Sequence, residues 1–291
     1  MPRIVTSAKV NLALAVVGQR TDGYHLIDSL VAFAHVGDEL AIEPAEALSL
    51  TVTGAFAGDL GAADDNLVLK SARLLQQEAE RLGLGRPGAA IHLDKRLPVA
   101  SGVGGGSGDA ATALNGLNAL WGFALPHARL AELALTLGAD VPMCLKGRPA
   151  RVSGIGEIIE TSPPLPELTL LLVNPRVPVS TAAVFAALDR RDNPCLPDLP
   201  VAWDGLDHLV DWLAATRNDL QPPALTLAPA IADVLSALRA QSGCRLARMS
   251  GSGATCFGIF ATWAAAEAAA KAIATVRPLW WVAAGGTARV L

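Results

Sequence analysis

The chain has 291 residues, 52% of them hydrophobic and 17% charged, which is enough apolar material for one large domain or two modest ones. Its formal net charge is −4 and no dense Lys/Arg run occurs, which counts against nucleic acid as the main partner. The four cysteines (Cys144, Cys195, Cys244, Cys256) show no C-x-x-C spacing and no neighbouring histidine, so reduced thiols in the cytoplasm are expected rather than zinc or a disulfide framework.

Arg3 followed by the apolar run Val10–Val17 faintly resembles a signal peptide, but Lys9 and Asn11 interrupt it. Val10, Leu12, Leu14 and Val16 alternate as on a strand, with Lys9 and Asn11 together on the other face. A strand lysine is usually a solvated edge residue. Here it leads an apolar strand beside Asn11, and both roles stay open. Asp22-Gly23 marks a turn, followed by Tyr24-His25 and strands over 26–33, 39–43 and 48–53. Asn66 then precedes a helix that persists to Leu82, before Gly83.

A short strand at Ala90-Ile91-His92-Leu93 runs through Lys95-Arg96 into a glycine-rich loop. Gly102, Gly104, Gly105, Gly106 and Gly108 leave this loop without side-chain bulk, and Ser107 or Gly108 is placed to cap the helix after it. Converging backbone N–H groups and a helix N-terminus together make a phosphate cradle. It is not a P-loop, since the chain contains no Gly-Lys pair, and the G-x-G-x-x-G register ends on Ser107 or Asp109 instead of glycine. A flexible linker would not lead into a well-patterned helix. The uncharged stretch Ala110–Ala128 contains Asn115, Gly116, Asn118 and Pro126, which suits a buried helix better than a membrane span.

Leu130–Leu137 reads as a helix stopped by Gly138, with Asp140-Val141-Pro142 directly after it. Asp140 is either a turn residue bonding its own backbone or a carboxylate aimed into a cleft. A hairpin over 151–159 and the linker Pro163-Pro164-Leu165-Pro166 put a domain boundary at 160/161. Beyond it come a strand at 168–173, a Ser180-capped helix to Leu188, and a proline-broken loop over 192–204. Helices are expected at 206–215 and 227–238, then a second Gly/Ser loop from Met249 into a strand, a helix over 264–275 and a strand at 280–283. The second part therefore reads as α+β.

Three separated motifs coincide. Lys9-Val10-Asn11-Leu12 with Asp22-Gly23-Tyr24-His25, the loop 98–108, and Ser250-Gly251-Ser252-Gly253-Ala254 resemble the three motifs of the GHMP kinases, in order. These are the galactokinase, homoserine kinase and mevalonate kinase group. Asp22-Gly23-Tyr24-His25, Lys95-Arg96-Leu97-Pro98 and Gly138-Ala139-Asp140-Val141-Pro142 look most like the branch that phosphorylates the 2-hydroxyl of a cytidine-diphosphate-linked methylerythritol, in the non-mevalonate route to isoprenoid precursors.

The resemblance implies a two-domain α+β fold, an ATP-binding part at 1–160, a C-terminal part at 161–291, and an active site in the cleft between domains. It implies Lys9 and Asp140 as the catalytic pair, Asp140 taking or orienting the hydroxyl proton and Lys9 holding that carboxylate and stabilising phosphoryl charge. Asn66 and Lys95 would lie near the adenosine. Pro98, Val99, Ala100, Ser101, Gly102, Val103, Gly104, Gly105, Gly106, Ser107 and Gly108 would surround the phosphates. Asn11 would contact the acceptor, a small cytidine-diphosphate-linked polyol, with Tyr24, His25 and Phe185 near its cytidine. Mg²⁺ is expected to accompany ATP, its protein ligands unassigned, and neither nucleic acid nor membrane is expected as a partner.

Two departures stand out. Ala100 and Ser101 replace glycines common in such loops, and Asp109 is an acid just inside an anion-binding helix, free to favour the helix dipole, assist Mg²⁺ or point away. The alternatives are another kinase of the group, such as a homoserine kinase, or a catalytically silent nucleotide- or sugar-responsive regulator. The retained Lys9 and Asp140 argue against silence.

Overall fold

The computed structural model describes residues 3–287, which fall into two compact units. One takes the start of the chain up to Ala8, with Gly37–Val99 and Gly104–Gly147. The other takes Lys9–Val36, Ala100–Val103 and the chain from Arg148 onward. The chain passes between them several times, so the contact units are not two consecutive stretches.

Two long strands contribute to both units, β1 (Ile4–Gln19) and β2 (His25–Ala45). The stretches expected as separate strands at 26–33 and 39–43 are one strand, and Gly37 shows why it is not broken by bulk. A Cβ there would lie 1.6 Å from the Thr6 carbonyl oxygen, so only glycine lets the backbones meet. β1 is buried on both faces from Ala8 to Val16. The solvated-edge role for Lys9 is thereby excluded.

In the first unit, β3 (Ser49–Thr53) runs parallel to β4 (Gly88–Asp94), and β4 pairs antiparallel with β2 in the register Leu40↔Leu93 and Ile42↔Ile91. The helices are α1 (Leu67–Arg81), α2 (Gly105–Leu120), α3 (His127–Leu137) and α4 (Val141–Lys146). Val68, Ala72 and Leu75 of α1 and Ala110, Leu114 and Leu117 of α2 recur at helical spacing and share a core with Leu40, Ile91 and Leu93. Asn66 caps α1, its Oδ1 accepting from the Val68 N–H at 2.9 Å. The cap of α2 differs from expectation. The helix starts at Gly105 on Gly104 (φ 65°, ψ 27°), because glycine alone enters that left-handed turn without cost, and Ser107 and Gly108 lie inside the helix.

In the second unit, β2 pairs antiparallel with β5 (Ala150–Gly154), which forms a hairpin with β6 (Ile158–Thr161). A four-stranded sheet has the order β10-β7-β9-β8, made of β7 (Thr169–Asn174), β8 (Cys244–Met249), β9 (Cys256–Phe260) and β10 (Trp281–Gly286). Five helices complete it: α5 (Thr181–Ala186), α6 (Gly205–Ala214), α7 (Gln221–Leu227), α8 (Ala230–Arg239) and α9 (Trp263–Val276). Leu171, Val173, Ile231, Leu235, Leu238 and Phe260 form its core. Strand β8 and helix α7 were absent from the sequence reading.

Candidate active site

Three stretches far apart in the chain meet within the second unit. The Lys9 N–H donates to the Val103 carbonyl at 2.9 Å, and the Asn11 N–H donates to Ser250 Oγ at 3.1 Å. Ser250 Oγ in turn donates to the Gly102 carbonyl at 3.0 Å, and the Thr255 N–H donates to the Ser101 carbonyl at 3.1 Å. Gly102 (φ 79°) explains the closeness: a Cβ there would stand 2.6 Å from the Ser250 carbonyl oxygen and 2.7 Å from that of Gly253. The strand motif, the glycine loop and the second Gly/Ser loop are therefore one hydrogen-bonded body.

The glycine loop alternates its backbone sense. Ala100 (φ 51°), Gly102 and Gly104 all have positive φ, a pattern that turns successive N–H groups toward one concavity. Gly104 has no side chain with which to cap α2, so the first N–H groups of that helix are left for an anion. Pro98 and Val103 are buried and hold the loop, while Gly106 is exposed.

Beneath the first turn of α2 lies a buried charge cluster in the first unit. Lys95 Nζ is 2.5 Å from Asp38 Oδ2 and 2.8 Å from Asp109 Oδ2, and the Thr6 hydroxyl donates to Asp109 Oδ1 at 2.9 Å. Asp38 Oδ1 also accepts from the backbone N–H groups of Arg96 (2.6 Å) and Leu97 (2.8 Å). Burial works against the Lys95 charge, but Asp109 and Asp38 more than offset it and the lysine's proton affinity is raised. Burial pushes the Asp109 carboxyl up to about 7, against the pull of Lys95 and with the help of Asp38. Asp109 thus points inward, onto Lys95 and Thr6.

The ring residues divide. His25 stacks on Phe185 with centroids 4.8 Å apart and planes at 25°, whereas Tyr24 is 60% exposed on its turn. Burial, then the charge of Arg191, lowers the His25 pKa, so its ring is neutral at pH 7. His25 Nε2 and Asn11 Oδ1 are buried with no hydrogen-bond partner among the described residues. Unpaired buried polar atoms are costly in a closed protein, and Trp203 Nε1 is a third among the described residues. Asp140 is half-buried ahead of α4 and its side chain does not cap that helix. No cluster of three or more His, Cys, Asp or Glu side chains able to hold a metal occurs among the described residues.

The sequence reading missed two residues that shape this region. Asn218 Nδ2 donates to the carbonyls of Met249 and Gly251, both at 2.8 Å, and fixes the second Gly/Ser loop. Arg248, 9% exposed, donates to the carbonyls of Leu12, Leu213 and Thr216 and to the Thr216 hydroxyl. Burial lowers its pKa to about 10, which leaves it charged at neutral pH. Neither sits in a motif with a recognisable spacing.

Residues 66–148 match the N-terminal domain of the GHMP kinases and residues 202–277 match their C-terminal domain; the expected boundary at 160/161 falls between the two. A 4-diphosphocytidyl-2-C-methyl-D-erythritol kinase of Cereibacter sphaeroides is 56% identical over 284 residues, covering 97% of this chain and 98% of the relative. A crystal structure of a 4-(cytidine 5'-diphospho)-2C-methyl-D-erythritol kinase superposes with a TM-score of 0.80 at 34% identity, covering 99% of this chain and 100% of that one. A homoserine kinase from Cytophaga hutchinsonii shares the fold, with a TM-score of 0.63 at 20% identity, 98% coverage of this chain and 96% of its own.

Proposed function

The chain belongs to the GHMP kinases, in the family of the 4-diphosphocytidyl-2-C-methyl-D-erythritol kinases, and from that premise we propose how its residues carry the reaction. The reaction is transfer of the γ-phosphoryl group of ATP to the 2-hydroxyl of 4-diphosphocytidyl-2-C-methyl-D-erythritol, a step of the non-mevalonate route to isoprenoid precursors. The observation that carries the site assignment is the convergence of the three motifs through Asn11, Gly102 and Ser250.

The loop 98–108 and the start of α2 receive the nucleotide phosphates on backbone N–H groups, with Asn66 on the adenosine side. Asp140 orients the acceptor hydroxyl and takes its proton as the oxygen attacks the γ-phosphorus and ADP leaves. Lys9 supplies positive charge to the transferring group. The orphaned Asn11 Oδ1 and His25 Nε2 serve the acceptor, and the His25–Phe185 pair gives its cytosine a stacking face, with Tyr24 on the turn beside it. Mg²⁺ bound with the nucleotide would offset the charge on its phosphates, with its protein ligands unassigned. We place the reaction in the cytoplasm, in keeping with four cysteines none of which forms a disulfide among the described residues.

The deciding measurement is ATP turnover with the cytidine-linked acceptor, homoserine and free methylerythritol offered separately. Turnover only with the first is expected. Equal turnover with homoserine would leave the broader kinase assignment standing and remove the acceptor.

A further inference from the structure

The Asp38–Lys95–Asp109 cluster is not used by the chemistry above, yet it lies directly under the turn that receives the nucleotide. A Cβ on Gly105, the first residue of α2, would stand 3.2 Å from Lys95 Nζ and 3.4 Å from Asp38 Oδ2. Lys95 is 3% exposed and Asp109 2%, so water screens neither. Both acidic partners contact the ammonium, which is therefore already neutralised by one carboxylate. A second ionised carboxylate leaves the cluster with a net negative charge one turn below an anion site.

We propose that Asp109 is a positioning residue for the nucleotide: its protonation state sets the charge beneath the first turn of α2, and the loop holds ATP more tightly when Asp109 is neutral. The inference rests on the kinase reading of the site. The Thr6 hydroxyl donates to the Asp109 carboxylate and so favours its ionised form. The upward displacement of the Asp109 carboxyl places the change within the range in which an enzyme is assayed.

The groups acting on Asp109 are Lys95 behind β4, Asp38 on β2 and Thr6 on β1. Outside them, Arg96 pairs with Glu39 and Asp94 near the surface. On the other elements packed against α2, Lys70 and Arg73 of α1 pair with Asp65 and Asp64 at exposed positions. His127 of α3 is exposed, Arg129 pairs with Glu78, and Asp140 and Lys146 about α4 are half-buried.

Asn is the neutral isostere of the protonated acid, so Asp109→Asn isolates the effect. ATP affinity is measured for wild type and Asp109→Asn from pH 6 to pH 8.5 at fixed Mg²⁺, and the ratio of the two cancels the titration of ATP itself. Near-equality at the acid end is expected, with the variant binding about threefold to tenfold more tightly at the alkaline end. The KM for ATP should follow the affinity while kcat stays level. A ratio that does not change with pH, or weaker binding by the variant at high pH, overturns the inference.

Thr6→Val provides a second test that keeps the acid. Removing the donor that favours the ionised form should move the wild-type loss of affinity to higher pH, and an unmoved or lowered midpoint counts against the proposal. Absence of ATP binding by every protein at all pH values would instead overturn the kinase site, and the inference with it.

Discussion

The Arg248 guanidinium closes the end of helix α6 by donating to the Thr216 carbonyl at 2.9 Å and to the Thr216 hydroxyl at 3.0 Å. No carboxylate pairs with it among the described residues, and the carbonyls at a helix C-terminus take the place of a counter-charge. Arg248→Met should therefore strand the carbonyls of Leu12, Leu213 and Thr216 and cost about 2–4 kcal/mol of unfolding free energy. Arg248→Lys should recover little, since an ammonium lacks the planar fork that reaches all of them. Denaturant midpoints with an unchanged slope are the measurement; a full rescue by lysine would show that charge alone matters.

Asp140→Asn keeps the shape of the side chain and removes its ability to accept a proton. Turnover should fall by about 10²–10⁴ with ATP affinity preserved. Near-normal turnover would take Asp140 out of the mechanism.

Within the glycine loop, swaps at two positions one residue apart, Ala100 and Gly102, should have opposite signs. Ala100 sits at φ 51°, where an L-residue is strained, so Ala100→Gly should stabilise the chain by about 0.5–1 kcal/mol after allowing for the extra freedom of glycine when unfolded. Gly102→Ala forces a methyl onto the backbones of Ser250 and Gly253 and should destabilise it by about 2 kcal/mol or more. Melting curves of both variants test the pair, and a tolerated Gly102→Ala would refute the close approach.

His25→Ala and Phe185→Ala each dismantle one half of the observed stack. Acceptor binding should weaken by roughly 1–3 kcal/mol in each, with ATP affinity as the control. Unchanged acceptor affinity in both would mean that the pair is packing and not a base-binding face.

Glu78 accepts from Arg81 and from Arg129, at 2.8 and 2.9 Å, and those bonds hold its carboxyl down to about 2. A carboxyl lowered on folding adds stability above its unfolded value, near 4.5, and loses it as the pH falls toward 2. Wild type should accordingly be more stable than Glu78→Gln at pH 7, with the gap closing between about pH 4.5 and pH 2. A gap that persists at pH 2 would place the effect in packing of the side chain.

The parts of this protein that were legible in the sequence are those with a local cause. Asn66 and Ser180 mark helix starts because a short acceptor side chain precedes an apolar period, and both cap, Ser180 as expected. Helix α7 is harder to see in the sequence because Pro222 and Pro223 break a helix anywhere but in its first turn, which is where they stand. The start of α2 was misplaced because glycine is judged a poor helix former, while its tolerance of a left-handed cap outweighs that here. Asp109 was undecidable for a different reason. Its partner Thr6 lies 103 residues away, and only the tertiary fold brings the two together.

The contact between Gly102 and the Ser250–Gly253 turn also bears on how such a protein can change over generations. The two loops are separated by 148 residues of chain, yet a Cβ introduced on the first would collide with main-chain atoms of the second. A side chain gained at Gly102 would press on the Ser250–Gly253 backbone, and relief would have to come from that distant stretch of the gene. The two motifs behave as a single inherited unit written in two places, and recombination between them would tend to separate halves that only work together.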